Sequence, residues 1–358
     1  MSLRILNVAY PFAPAGPDAV GGAEQVLTLI DQALVAAGHE SWVLGCGGSR
    51  AFGQVIASFE LPDNICDSWK ETAYQKYSQR IEETIDRCAI DLLHLHGIDF
   101  YRYLPDRPVP VLVTLHLPPL WYPPSVFQLS RPNVWLHCVS PSQHTVCPAS
   151  PNLLPPIENG VDLPKHRQVP KRNFALSLGR ICPEKGFHLA MDAAKAANIP
   201  LLLAGQVFPY EAHLKYFEDE IRSRQSASCK FIGPLAAARK WGYLSAAKCL
   251  LVPSLVAETS SLVAMEALAC GTPVIAFARG ALPQIVEHGK TGFIVHNVDE
   301  MAEAIREVAE ISPEDCRAAA QKRFSAGTMT ERYLSRYLEL VRLRADEHVH
   351  REPEFATA

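Results

Sequence analysis

One feature constrains this chain more than any other: along nearly its whole length, short apolar runs alternate with longer amphipathic stretches. Runs of strand length fall at 3–9, 40–44, 91–95, 109–115 and 136–139, then at 174–178, 200–204, 229–232, 249–252, 273–276 and 292–295. Between them apolar residues recur at helical spacing, as over 23–37, 73–88, 187–197, 210–224 and 301–311. Parallel strands need a long crossover, and a helix is the usual one. The alternation therefore predicts an α/β chain with parallel, doubly wound sheets.

The series breaks once. Residues 148–173 hold six prolines and the basic residues Lys165, His166, Arg167, Lys171 and Arg172, with little periodicity. That composition marks a domain boundary, and 358 residues suit two domains. The expected division is 1–165 and 166–328, with a final helix over 329–344 and 345–358 as a flexible tail.

Composition then excludes whole classes. Thirty-four basic against thirty-eight acidic side chains leave a formal charge of −4, which argues against nucleic-acid binding through a basic surface. No apolar run reaches the roughly 18 residues of a membrane span, and residues 1–9 read as a buried strand instead of a secretory leader. The ten cysteines stand singly, with no Cys-x-x-Cys pair and no clustered ligand set for structural zinc. They read as small buried hydrophobes in a reducing compartment. The expectation is a cytoplasmic protein with at most peripheral contact at the inner membrane face.

In open α/β sheets, ligands bind beyond the carboxyl ends of the strands, and two such halves would place both edges around a central cleft. After the first strand, Gly21-Gly22-Ala23-Glu24 opens a helix, either as a plain turn or as a place for an anion to approach terminal amides. His116 ends the fourth run, ahead of the apolar loop 118–127, and is either structural or directed at a ligand. His94 and His96, two apart on the preceding strand, read as packing or supporting groups. The second half opens with Gly179-Arg180…Glu184-Lys185-Gly186, two cations between strand and helix that suit a diphosphate.

Residues 253–276 carry the densest signal. Ser260 and Ser261 are candidate helix caps and Gly271 a candidate helix stop. Glu266 lies among Ala, Leu, Val and Met, where an unpaired carboxylate is costly. Ligand hydroxyls are its expected partner. Helical geometry throughout would hold Glu258 and Glu266 roughly 12 Å apart. Other motifs fail. Gln284 stands where a P-loop ending in His288-Gly289-Lys290-Thr291 needs glycine, and Arg50 spoils a dinucleotide fingerprint starting at Gly45. No two aspartates stand two apart to clamp a nucleotide-bound metal.

Taken in order, Gly21-Gly22-Ala23-Glu24, Gly38-His39-Glu40, Thr114-Leu115-His116, Glu158-Asn159-Gly160-Val161-Asp162, Gly179-Arg180…Glu184-Lys185-Gly186, Phe231-Ile232-Gly233 and Glu258…Glu266 resemble the retaining glycosyltransferases of family 4, glycosyl transferases group 1. The resemblance covers residues 3–340 and implies the GT-B fold, two Rossmann-like domains facing a central cleft. It implies that the first domain binds an acceptor (a sugar, a glycolipid or a small metabolite) and the second a nucleotide-sugar donor, UDP-sugar favoured. Arg180 and Lys185 would hold the diphosphate, Glu266 the ribose, and Glu258 the transferred hexose. Ser260, Ser261 and Leu262 would offer amides, Ile232 would line the donor site, Gly22 would admit the phosphates, and His116 would stand beside the reacting sugar. The resemblance implies no cofactor and no metal. Two positions depart from the family pattern: Thr259-Ser260-Ser261 replaces Gly-Phe-Gly, and Gln284 replaces a glutamate. The alternative function on such a scaffold is a nucleotide-sugar epimerase or a non-catalytic sugar-nucleotide binding module.

Overall fold

The computed structural model describes residues 2–62, 65–164 and 169–349. It divides into two compact units, one holding the chain up to Ile157 and again from Met329, the other Glu158–Thr328. The boundary thus falls eight residues ahead of the expected 165. The reason is visible on both sides of it. Leu153–Leu154 pairs with the first sheet, whereas Val161 bridges to Ser325 in the second unit. Lys171, read as linker, donates to the Ser245 carbonyl at 2.9 Å and to Thr272. Lys165, His166 and Arg167 lie outside the described residues, as does 350–358 of the expected tail.

The first unit builds β1 (Arg4–Val8), α1 (Gly22–Ala36), β2 (Glu40–Gly45), β3 (Gln54–Ala57), α2 (Asp67–Cys88), β4 (Leu92–Leu95), β5 (Val111–Leu115), β6 (Val134–Cys138), α3 (Pro141–Val146) and β7 (Leu153–Leu154). Its sheet is parallel throughout, in the order β3-β2-β1-β4-β5-β6-β7. Strands β1, β4 and β5 are buried along nearly their whole length, as expected when helices cover both faces. The edge strand β3 escaped the sequence reading because its residues are mostly exposed.

The second unit repeats the plan with β8 (Ala175–Leu178), α4 (Phe187–Ala196), β9 (Leu201–Ala204), α5 (Glu211–Tyr216), β10 (Cys229–Phe231), α6 (Ala237–Ala246), β11 (Cys249–Val252), α7 (Leu262–Ala269), β12 (Val274–Phe277), α8 (Leu282–Ile285), β13 (Gly292–Val295), α9 (Val298–Glu307) and α10 (Pro313–Arg323). Its parallel order is β10-β9-β8-β11-β12-β13. The strand order of each sheet therefore reverses once, between β1 and β4 and between β8 and β11, and such reversals open the crevices where ligands sit. Helices α3, α6, α8 and α10 were not foreseen. Helix α7 stops as expected: Gly271, at φ 69°, donates to Leu268 O while Thr272 donates to Ala267 O, the Schellman arrangement.

The last helix, α11 (Ala326–Val349), begins three residues before the expected 329 and ends five after 344. Tyr333 and Tyr337 are fully buried in the first unit. The Tyr337 hydroxyl lies 2.7 Å from His94 Nδ1, and the Tyr333 hydroxyl 3.4 Å from Thr114 Oγ1. Truncating either aromatic would cost about 3–5 kcal/mol. No helix among the described residues is long and apolar enough to cross a membrane.

Candidate active site

At the β8/β11 reversal the two loops rich in candidate residues meet. Lys185 ends a short turn after β8, and Glu258 lies in the loop after β11. Lys185 Nζ reaches Glu258 Oε1 at 2.6 Å, and the Ser254 hydroxyl donates to the same oxygen. The carboxylate side chain is 9% exposed, so its charge is held by built partners and not by bulk water. The loops are also joined along the backbone, since Leu255 N–H donates to Glu184 O at 2.8 Å. Gly280, at φ 57°, packs so closely on Glu258 that an added Cβ would overlap its backbone nitrogen and oxygen, and Ala281 N–H donates to Glu258 O at 2.7 Å. The residues after β12 thus form the floor that fixes Glu258. Sequence reasoning had given Gly280 no such part.

Arg180 is exposed, and no ion pair engages its guanidinium among the described residues. Ser261 occupies the N-cap position of α7, yet its hydroxyl makes no capping bond. Ser260 Oγ is buried without a hydrogen-bond partner. The capping role expected of these serines is therefore corrected: they leave the first amides of α7 uncapped by side chains. Leu262 is the first residue of that helix. Ile232 stands apart from this cluster, following β10 at the sheet edge, where its amide donates to Leu203 O.

Glu266 is buried, as its sequence setting required, but its partner is a protein side chain. Lys240 Nζ, from α6, lies 2.5 Å from Glu266 Oε1. Burial raises the Glu266 carboxyl above its ordinary range, and Lys240 opposes that rise. Nearby Asp162 is likewise raised by burial and held down by Lys240. Lys240 escaped sequence reasoning because α6 was not recognised. The helical offset from Glu258 does not apply either, since the chain before Leu262 is a loop.

In the first unit, Gly22 is the first residue of α1, and His116 follows β5. His116 Nε2 lies 3.0 Å from His96 Nδ1, with the rings stacked at 5.3 Å. The expected supporting role of His94 and His96 has a concrete form. His94 Nε2 lies 2.7 Å from Thr114 Oγ1, which lies 2.7 Å from His137 Nε2. Burial pushes His116 and His137 down to about 3 and holds His94 and His96 well below the usual imidazole value. All four rings are therefore neutral at neutral pH, and His116 presents an uncharged imidazole. The apolar loop 118–127 splits: Tyr122, Val126 and Phe127 are buried in the core, while Leu120 and Trp121 are 94% and 47% exposed.

The cysteines are free, and seven of the ten are buried. The fold brings Cys182, Glu184 and His213 together, with one potential ligand atom from each within 4.8 Å of the other two, a grouping that their spacing in sequence concealed.

Comparison with known proteins bears on the family and the fold. The family Glycosyl transferases group 1 matches residues 161–323, and Glycosyltransferase Family 4 matches residues 20–152. A D-inositol 3-phosphate glycosyltransferase of Mycobacterium leprae is 32% identical over 190 residues, covering 48% of this chain and 43% of that protein. Its counterpart from Mycobacterium sp. strain KMS is 30% identical over 224 residues, covering 56% and 50%. The chain spans about half the length of the curated relatives it matches. Among solved structures, sucrose-phosphate synthase of Thermosynechococcus elongatus aligns with a TM-score of 0.78 at 20% identity, over 94% of this chain and 99% of that one. AviGT4, a glycosyltransferase involved in avilamycin A biosynthesis, aligns at 0.69 and 23% identity, over 95% and 98%. With its first unit matched by Glycosyltransferase Family 4, its second by Glycosyl transferases group 1, and nearly its whole length aligned with these structures, the chain belongs to glycosyltransferase family 4 and has the GT-B fold.

Proposed function

We propose that this protein transfers a hexose from a nucleoside-diphosphate sugar to an acceptor hydroxyl, with retention of anomeric configuration and without a catalytic metal. The observation that carries the reading is the Lys185–Glu258–Ser254 cluster at the β8/β11 reversal. It offers one cation and one carboxylate, the two groups that a sugar diphosphate calls for.

The donor glycosidic bond is activated by its phosphate, so catalysis rests on stabilising the departing diphosphate and orienting the acceptor. Arg180 and Lys185 receive the charge that develops on the leaving group, and the amides at the start of α7 are a further group suited to it. The diphosphate shares Lys185 with Glu258, whose carboxylate in turn accepts from sugar hydroxyls. Ser260 Oγ, buried and unpartnered, gains a donor oxygen. Glu266 accepts from the ribose, while Lys240 opposes the rise that burial imposes on its carboxyl. His116, neutral and backed by His96, donates to or accepts from the sugar without adding charge. Among the described residues Glu258 is the carboxylate of this cluster, and Lys185 and Ser254 already engage it. That favours front-face attack, in which a donor phosphate oxygen takes the acceptor proton, over a covalent glycosyl-enzyme.

A UDP-sugar is the first donor to test, since an Anabaena protein of the same fold is solved with UDP-glucose. The acceptor panel includes an inositol phosphate, after the mycobacterial relatives, together with free sugars and a glycolipid. Transfer that persists with chelator and yields an α product from an α donor, read from the anomeric proton coupling, supports the proposal. A β product overturns retention. Donor binding without transfer to any acceptor points to a binding module.

A further inference from the structure

Beside the donor loop, three side chains converge from two separate stretches of chain. Cys182 and Glu184 belong to the turn after β8, and His213 to α5. One ligand atom from each lies within 4.8 Å of the other two. Cys182 is 1% exposed, while Glu184 and His213 are half-buried and leave a way in from solvent. His213 is held by two rings, Tyr210 at 5.1 Å and 89° and Phe208 at 6.5 Å and 73°. Its Nδ1 is buried with no hydrogen-bond partner. A buried ring nitrogen left without a partner is costly, and a cation is one group that would satisfy it.

We propose that Cys182, Glu184 and His213 form a binding site for one zinc-class divalent cation, separate from the transfer chemistry. The donor set selects the ion. Magnesium and calcium take oxygen ligands, whereas a thiolate with an imidazole and a carboxylate suits zinc or cobalt. At metal–ligand distances of about 2.0–2.3 Å, tetrahedral ligand atoms stand roughly 3.3–3.6 Å apart. From separations of up to 4.8 Å, the three groups need to close by roughly 1.2–1.5 Å at most, a shift within the reach of side-chain rotation. Three protein ligands leave the fourth position to water. A nucleophilic role for the thiol fits less well. Cys182 is covered, and its sulfur donates to the Arg180 carbonyl at 3.6 Å, so no substrate carbonyl can reach it.

The consequence is mechanical. The ion ties α5 to the turn that carries Arg180 and Lys185, a turn already linked through Glu184 O to the loop of Glu258. Binding to the folded state alone raises apparent stability by mass action.

The test is a titration of the full-length, metal-stripped protein with Co²⁺. Cobalt bound to a thiolate gives a near-ultraviolet charge-transfer band that other ligands do not. The expected result is one Co²⁺ per chain, a band displaced by Zn²⁺, and a rise in melting temperature with Zn²⁺. Cys182→Ser abolishes the band, His213→Gln weakens binding at least about tenfold, and Cys66→Ser, at an exposed cysteine, changes neither. His213 is half-buried, so its variant reports binding even where Cys182→Ser is poorly folded. Absence of the band, its survival in Cys182→Ser, unchanged affinity in His213→Gln, or its loss in Cys66→Ser overturns the proposal.

Discussion

Lys185 and Glu258, 73 residues apart in the chain, meet at 2.6 Å across the point where the strand order of the second sheet reverses. The pair links the cation proposed to hold the leaving group with the carboxylate proposed to hold the sugar. Lys185→Ala and Arg180→Ala should each lower the transfer rate roughly 10²–10³-fold, the usual loss for one electrostatic stabiliser. Secondary structure by circular dichroism should stay unchanged. Near-normal rates in both variants would remove the donor site from this loop.

Lys240 and Glu266 form the second test. Removing either partner leaves a buried charge, so Glu266→Ala and Lys240→Met should each destabilise the protein by about 3 kcal/mol in urea unfolding. Their double variant should cost less than the sum by at least about 1 kcal/mol. Glu266→Gln should raise KM for the donor more than it lowers kcat, because ribose contacts change little during transfer. Additive single effects would mean that the 2.5 Å contact carries no energy.

The histidines predict acid lability. Each has a folded-state value below the ordinary 6.5, so its contribution to stability is fully present above pH 6.5 and declines as pH falls, for His116 and His137 down to about 3. Each ring that must take up a proton on unfolding adds about 1.4 kcal/mol per pH unit to the decline. Urea midpoints followed by tyrosine fluorescence should fall steeply below pH 6.5, and His137→Asn should reduce the slope. A flat profile between pH 6.5 and 4 would contradict the neutral cluster.

Gly280→Ala should be severe. The left-handed backbone alone costs about 1–2 kcal/mol with a side chain, and the new Cβ would overlap the Glu258 backbone. Gly289 has a similar φ, 76°, with nothing near its Cβ position, so Gly289→Ala should show the torsional cost alone. Calorimetry should find Gly280→Ala the less stable by at least about 1 kcal/mol, with donor affinity lost as Glu258 shifts. Equal melting temperatures would sink the floor role.

By itself the sequence determined the architecture, because burial periodicity is local. Apolar runs such as 249–252 and 292–295 became strands of those very bounds, and Gly271 ended its helix where its neighbours required. It also placed the candidate residues at strand ends, since loops after parallel strands are defined by the strands alone. The choice of partners was left to the tertiary structure. Which cation faces Glu266 depends on how α6 packs beside α7, and nothing within reach of residue 266 along the chain names Lys240. His94 meets Tyr337 across 243 residues, a contact set by where α11 returns and not by any pattern near either. The trio of Cys182, Glu184 and His213 arises the same way, from the crossover that lays α5 against the turn after β8. Periodicity specifies which face of an element is buried; only the packed crossovers specify what it is buried against.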